Sequence, residues 1–151
     1  MSVIERFYSA FAQRDWAGMG SCYHPDARFS DPVFPDLDAE GVRAMWRMLL
    51  TSGRELRITY AVMEENESGG RCDWEAYYQF SRSGRSVHNV VNSDFIIKDG
   101  LILQQLDDFD FWRWSGQALG MSGMLLGWTG LVRNKVRRMA AENLRKAIAA
   151  A

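Results

Sequence analysis

Cysteine is scarce in this chain of 151 residues: Cys22 and Cys72 lie fifty positions apart, with no CxxC spacing and no histidine cluster beside either. That excludes a disulfide framework or a zinc knuckle as the organising principle and reads both as buried free thiols. Net charge is nearly absent too, with 18 basic residues against 19 acidic ones, so no global field recruits nucleic acid. The start lacks a basic run leading into a long apolar stretch; Met1 passes directly into Ile4-Glu5-Arg6, and a cytoplasmic protein is expected. Nothing in the residue pattern calls for a metal or a cofactor.

What the chain does have is apolar content, 47 %, enough for one domain with a real core and too little for two. Val3, Ile4, Phe7, Tyr8 and Phe11 recur at helical spacing, with Ser2 placed to cap them. A second short helix is expected over residues 16–23 behind Asp15, broken at His24-Pro25 because the residue before proline is pushed out of the α region. Residues 27–31 read as a strand, and Val42, Met45, Trp46, Leu49 and Leu50 give a third helix over 39–51. After Gly53 the period falls to two. Four strands follow, separated by turn signals at Ser68-Gly69-Gly70, Ser83-Gly84-Arg85 and Lys98-Asp99-Gly100, the last strand running from Leu101 to Trp112. Helices followed by a meander predict an α+β roll, a curved antiparallel sheet wrapped around the N-terminal helices.

Several short motifs sharpen that expectation: Arg6-Phe7-Tyr8, Asp15, the Asp26-Ala27 pair and Asp31-Pro32-Val33. In this order, over residues 3–112, the chain resembles the NTF2-like superfamily, in its SnoaL-like and ketosteroid-isomerase-like branch. The resemblance implies a cone-shaped roll holding a pocket, with Asp31 at the place of the isomerases' general base. It also exposes two departures. The position of the family's oxyanion tyrosine is Phe7, which has no hydroxyl, and Ser93 stands where a protonated aspartate is used. Steroid isomerisation is therefore not expected. The epoxide-hydrolase branch needs an Asp-Arg-Asp set, and no arginine falls on the inward face of residues 87–95.

Strand parity, anchored on Trp74, Ala76, Tyr78 and Phe80 facing inward, puts Asn89, Val91 and Ser93 inside the next strand. On the last strand the same count turns Gln104, Leu106, Asp108, Asp110 and Trp112 inward, unless a bulge among the crowded acids exchanges the faces. The expected cavity is thus walled by Phe7, Trp46, Trp74, Tyr78 and Trp112, with Asp31, Asn89, Ser93 and Asp108 as sparse polar points. Such a lining suits a small apolar molecule carrying one or two oxygens. Asp31 and Asp108 are the candidate acid/base residues. Each has a plainer reading: Asp31 as an Asx turn at Pro32, Asp108 as a structural acid paired with an arginine, and the aromatics as core. His88 falls on the convex face, where a surface or interface role is expected, and the domain is expected to pair with a second copy through that face.

Residues 113–151 lie beyond the resemblance and form a helical extension. Its uncharged run from Ser115 to Val132 is interrupted by glycines and is followed by a basic segment containing Arg133, Lys135, Arg137 and Arg138. A cap over the open end of the cone, or a subunit contact, is the favoured role; contact with an anionic membrane surface is the other reading.

Overall fold

The computed structural model describes residues 1–52 and 55–150, so the boundary expected at Gly53 lies outside the described residues. Helices α1 (Val3–Ala12), α2 (Trp16–Gly20) and α3 (Ala39–Ser52) precede and flank a five-stranded sheet of β1 (Tyr23–Ser30), β2 (Arg57–Asn66), β3 (Gly69–Gln79), β4 (Ser86–Lys98) and β5 (Leu101–Asp108). The strand order is β1-β5-β4-β3-β2, with β1 parallel to β5 and the other pairs antiparallel. This is the α+β roll expected from the sequence.

Local chemistry sets the first elements. Ser2 Oγ accepts the Glu5 N–H at 3.1 Å and Asp15 Oδ1 accepts that of Gly18 at 2.9 Å, the two N-caps read from the sequence. Helix α2 is shorter than expected, and β1 begins at Tyr23 rather than Ala27. Pro25 is tolerated because it falls at the sheet edge, in the part of β1 where the register to β5 is irregular. The two-residue turn between β2 and β3 is Glu67-Ser68, and Gly69 and Gly70 already belong to β3. The Asp99-Gly100 hairpin forms as expected; both residues have positive φ, 55° and 72°, which matches the twist of the strands it joins.

The concave face of the sheet closes on α1 and α3. Phe7 lies at the centre of the core, with ring centroids 5.1 Å from Tyr8, 5.6 Å from Tyr23 and 5.9 Å from Trp46. Cys22 and Cys72 are both buried free thiols.

The last strand departs from expectation. It ends at Asp108, and Asp110, instead of continuing it, caps helix α4 (Phe111–Leu119) by accepting the Arg113 N–H at 3.0 Å. Helices α5 (Met121–Leu126) and α6 (Gly130–Ala150) follow. Helix α6 packs across α3, with Leu144 buried in the main core. Its first turns, at Val132 and Val136, cover a second apolar cluster of Val87, Phe111, Trp114 and Ala118. Among the described residues no helix is long and apolar enough to cross a membrane.

Candidate active site

Asp31 closes β1 as the first residue of a tight turn. Its N–H donates to the Phe34 carbonyl at 2.9 Å, while its Oδ1 accepts the N–H groups of Val33 and Phe34 at 2.7 and 2.6 Å. The Asx turn read from Pro32 is therefore present. Two N–H donors normally pull a carboxyl pKa down. Here desolvation outweighs them: although the residue keeps some exposure, its carboxyl sits deep enough in apolar surroundings for burial to push its pKa up to about 6. Arg137 of α6 acts against that rise, and its Nε donates to the Pro32 carbonyl at 2.8 Å, tying the C-terminal helix to this turn.

The second buried carboxyl is not the one expected. A bulge at Leu103 breaks the β4–β5 register: Ile97 pairs with Ile102 and Ile96 with Gln104, so every β5 residue beyond the bulge changes face. Gln105 and Asp107 turn inward and are buried, while Leu106 and Asp108 turn out and are exposed. Asp108 is thereby removed from the interior. Trp112 is removed as well; it lies on α4, 54 % exposed, its Nε1 donating to the Met124 carbonyl at 3.0 Å.

Asp107 ends a continuous chain of buried hydrogen bonds. Trp46 Nε1 donates to Tyr23 Oη at 2.9 Å, Tyr23 Oη donates to Gln105 Oε1 at 2.6 Å, and Gln105 Nε2 donates to Asp107 Oδ1 at 3.0 Å. From the other side Trp74 Nε1 donates to Ser93 Oγ at 2.8 Å and Ser93 Oγ donates to Asp107 Oδ1 at 2.6 Å. Burial pushes the Asp107 pKa up to about 7 against the pull of the Ser93 and Gln105 bonds, and the charge on Asp31 pushes it the same way. Tyr8 Oη is buried beside this chain without a hydrogen-bond partner among the described residues. Ser93 and Cys72 are its polar neighbours.

The remaining expected residues divide by depth. Phe7, Trp46 and Trp74 are buried core aromatics. Tyr78 is half-buried, its Oη accepting Trp114 Nε1 at 2.8 Å and feeling the Asp31 charge. Asn89 is half-buried opposite Ala76. Tyr78 and Val87 also form the inner wall of an open cleft of about 490 Å³, whose outer rim includes Arg57, Tyr77, His88 and Gln117. On that rim His88 Nε2 lies 2.7 Å from Glu75 Oε1, and its ring stacks on Tyr77 at 4.3 Å. Among the described residues no group of three or more His, Cys, Asp or Glu side chains is placed to hold a metal ion.

The pattern of the SnoaL-like domain matches residues 4–105, about two thirds of the chain and all of the roll through Gln105. The chain belongs to the SnoaL-like domain family. Among solved structures, it is similar to a candidate polyketide cyclase from Silicibacter: 16 % identity and a TM-score of 0.67, covering 77 % of this chain and 92 % of that one. IdmH, a candidate polyketide cyclase from Streptomyces antibioticus, is 18 % identical with a TM-score of 0.64, covering 79 % and 96 %. A protein of ketosteroid isomerase-like fold from Catenulispora acidiphila, in complex with trimethylamine, gives 9 % and 0.68 over 84 % and 96 %. Identities this low establish the fold alone. No curated protein matches the chain.

Proposed function

We propose that this SnoaL-like protein binds a small, largely apolar carbonyl compound inside the cone and moves a proton on it, as an isomerase or cyclase does. Asp31 is the base and neutral Asp107 the hydrogen-bond donor to the carbonyl oxygen. The observation that carries the reading is the pair of buried carboxyls whose pKa values are pushed to about 6 and about 7 in aromatic surroundings. Near pH 6.5, by order of magnitude, such a pair populates one ionised and one protonated member, the state that proton abstraction beside a carbonyl needs. Tyr8 adds a buried O–H with no protein acceptor among the described residues, available to a ligand oxygen. In this reading Ser93 and Gln105 position Asp107. The aromatic interior is closely filled, so in this reading a ligand enters by displacing α6, whose Arg137 is bonded to the Pro32 carbonyl of the Asp31 turn.

A second reading, a binding or assembly domain without chemistry, draws on the Asx turn at Asp31, which gives that carboxylate a structural task. A thermal-shift screen of terpenoid, steroid-like and polyketide-like carbonyl compounds, run on the wild type, Asp31→Asn and Asp107→Asn, separates the two. A ligand at about 100 times its dissociation constant stabilises the fold by roughly 2.7 kcal/mol. Stabilisation lost in either variant, followed by turnover in the wild type alone, supports proton transfer. Stabilisation retained in both variants, without turnover, supports the second reading.

A further inference from the structure

Helix α5 is built the wrong way round for a soluble surface. Gly123 within it and Gly127 at its C-cap face the protein: a Cβ at Gly123 would run into the Ser115 carbonyl, and one at Gly127 would run into the Ser115 hydroxyl. Only glycine permits this approach to α4, and it turns the large side chains outward. Met121, Met124, Leu125, Leu126, Trp128 and Leu131 are all exposed, Trp128 at 70 % and Leu131 at 72 %. A contiguous apolar patch of this kind marks an interaction surface.

Charge identifies what meets it. Residues 111–151 carry seven Arg or Lys and one acid, Glu142, whereas residues 1–110 carry eleven against eighteen. Helical spacing places Lys135 and Arg138 on the same exposed face of α6 as Leu131, and among the described residues neither makes an ion pair. We propose that residues 121–131 dock on an anionic membrane surface, the Met, Leu and Trp side chains entering the headgroup boundary and Lys135 and Arg138 meeting lipid phosphates. Long cationic stems beside an apolar patch with an indole are the composition of an interfacial anchor. A second copy fits less well, because two-fold self-docking of one patch brings the same cations together, with no acid between Asp110 and Glu142 to neutralise them. This inference is independent of the proton-transfer reading.

The test is co-sedimentation of the full chain with vesicles of phosphatidylglycerol and phosphatidylcholine, or of phosphatidylcholine alone, across a salt series. Binding is expected on the anionic vesicles and is expected to fall with salt. Lys135→Gln/Arg138→Gln should weaken it about 30-fold, roughly fivefold per cation, and Leu125→Asp should weaken it more than about tenfold. Both variants alter exposed side chains and should keep the wild-type melting temperature. No binding at low salt, equal binding to neutral vesicles, or binding unchanged in both variants overturns the proposal. So does a lipid-free dimer that Leu125→Asp dissociates while vesicle binding is absent.

Discussion

Ser93 and Asp107 face each other across the β4–β5 ladder and share a hydrogen bond of 2.6 Å, with Trp74 Nε1 closing on the same Ser93 oxygen. One hydroxyl thus satisfies a carboxyl and an indole that are both buried. Ser93→Ala removes acceptor and donor together, which should cost about 1–3 kcal/mol by leaving buried polar groups unpaired. The Ser93 bond also holds the Asp107 pKa down, so the same variant should raise it further above about 7. Chemical denaturation reads the first effect and carboxyl NMR titration the second. An unchanged titration would show that the bond does not govern Asp107.

Asp107 makes stability depend on pH with a definite sign. Folded, it keeps its proton until about pH 7; unfolded, it releases it near the ordinary aspartate value, about 4. The contribution is therefore complete at pH values below about 4 and is lost as pH rises through about 7. Asp31, raised to about 6, adds the same sign over a narrower window. Asp107→Asn retains an Oδ1 acceptor for Ser93 and Gln105, so its stability should be flatter between pH 4 and 7 and should exceed that of the wild type above pH 8. Each pH unit of separation corresponds to about 1.4 kcal/mol. Denaturation curves at four or five pH values decide the matter; parallel curves for variant and wild type would show that Asp107 ionises in the folded state without penalty.

The N-terminal half of this site was legible in the sequence. Asp31 is signalled by its Asx-Pro context and the β1 end, and the inward alternation of Trp74, Val91 and Ser93 follows from period two. The Gln105–Asp107 half was not, since parity counting assumes an unbroken ladder and a single inserted residue inverts it. The acids at 107, 108 and 110 hint at a trade of faces without saying which one turns in. Trp112 was misplaced for a related reason: in Asp-Phe-Trp-Arg-Trp, aromatic alternation imitates a strand while Asp110 is acting as a helix cap.

Tyr8→Phe separates a packing role from a chemical one. Its hydroxyl is buried with no partner among the described residues, and deleting an unsatisfied polar atom relieves a desolvation cost of about 1–3 kcal/mol. The variant should be as stable as the wild type or more so. If the hydroxyl meets a ligand oxygen, affinity for a carbonyl ligand should fall despite the gain in stability, and calorimetric titration would show it. Loss of stability with affinity intact would instead mean that the hydroxyl has a partner in solution.

Arg137 links the C-terminal helix to the Asp31 turn through the Pro32 carbonyl and through its charge. Arg137→Ala should therefore have two coupled effects. The Asp31 pKa should rise further above about 6, and amide exchange along residues 130–150 should accelerate as α6 loses an anchor of about 1 kcal/mol. Faster exchange with an unmoved Asp31 titration would place the guanidinium too far from the carboxyl to matter.

The bulge at Leu103 gives β5 one residue more than β4, so deleting that residue tests what the bulge itself contributes. Deletion joins Ile102 to Gln104 and leaves an unbroken ladder in the register already present beyond the bulge, Ile96 with Gln104 and Ser93 with Asp107. The Tyr23–Gln105 and Ser93–Asp107 bonds should therefore survive, and Asp107 should keep its pKa of about 7. The cost should be confined to the local refitting of β1 and the Asp99-Gly100 hairpin, about 1–3 kcal/mol. Leu103→Ala keeps the extra residue and serves as the control, because it shortens only a half-buried side chain. Denaturation and carboxyl NMR titration check the prediction: if the deletion left Asp107 titrating like an exposed aspartate, the strand would have slipped by one residue, and the bulge rather than the buried network would be what fixes the register.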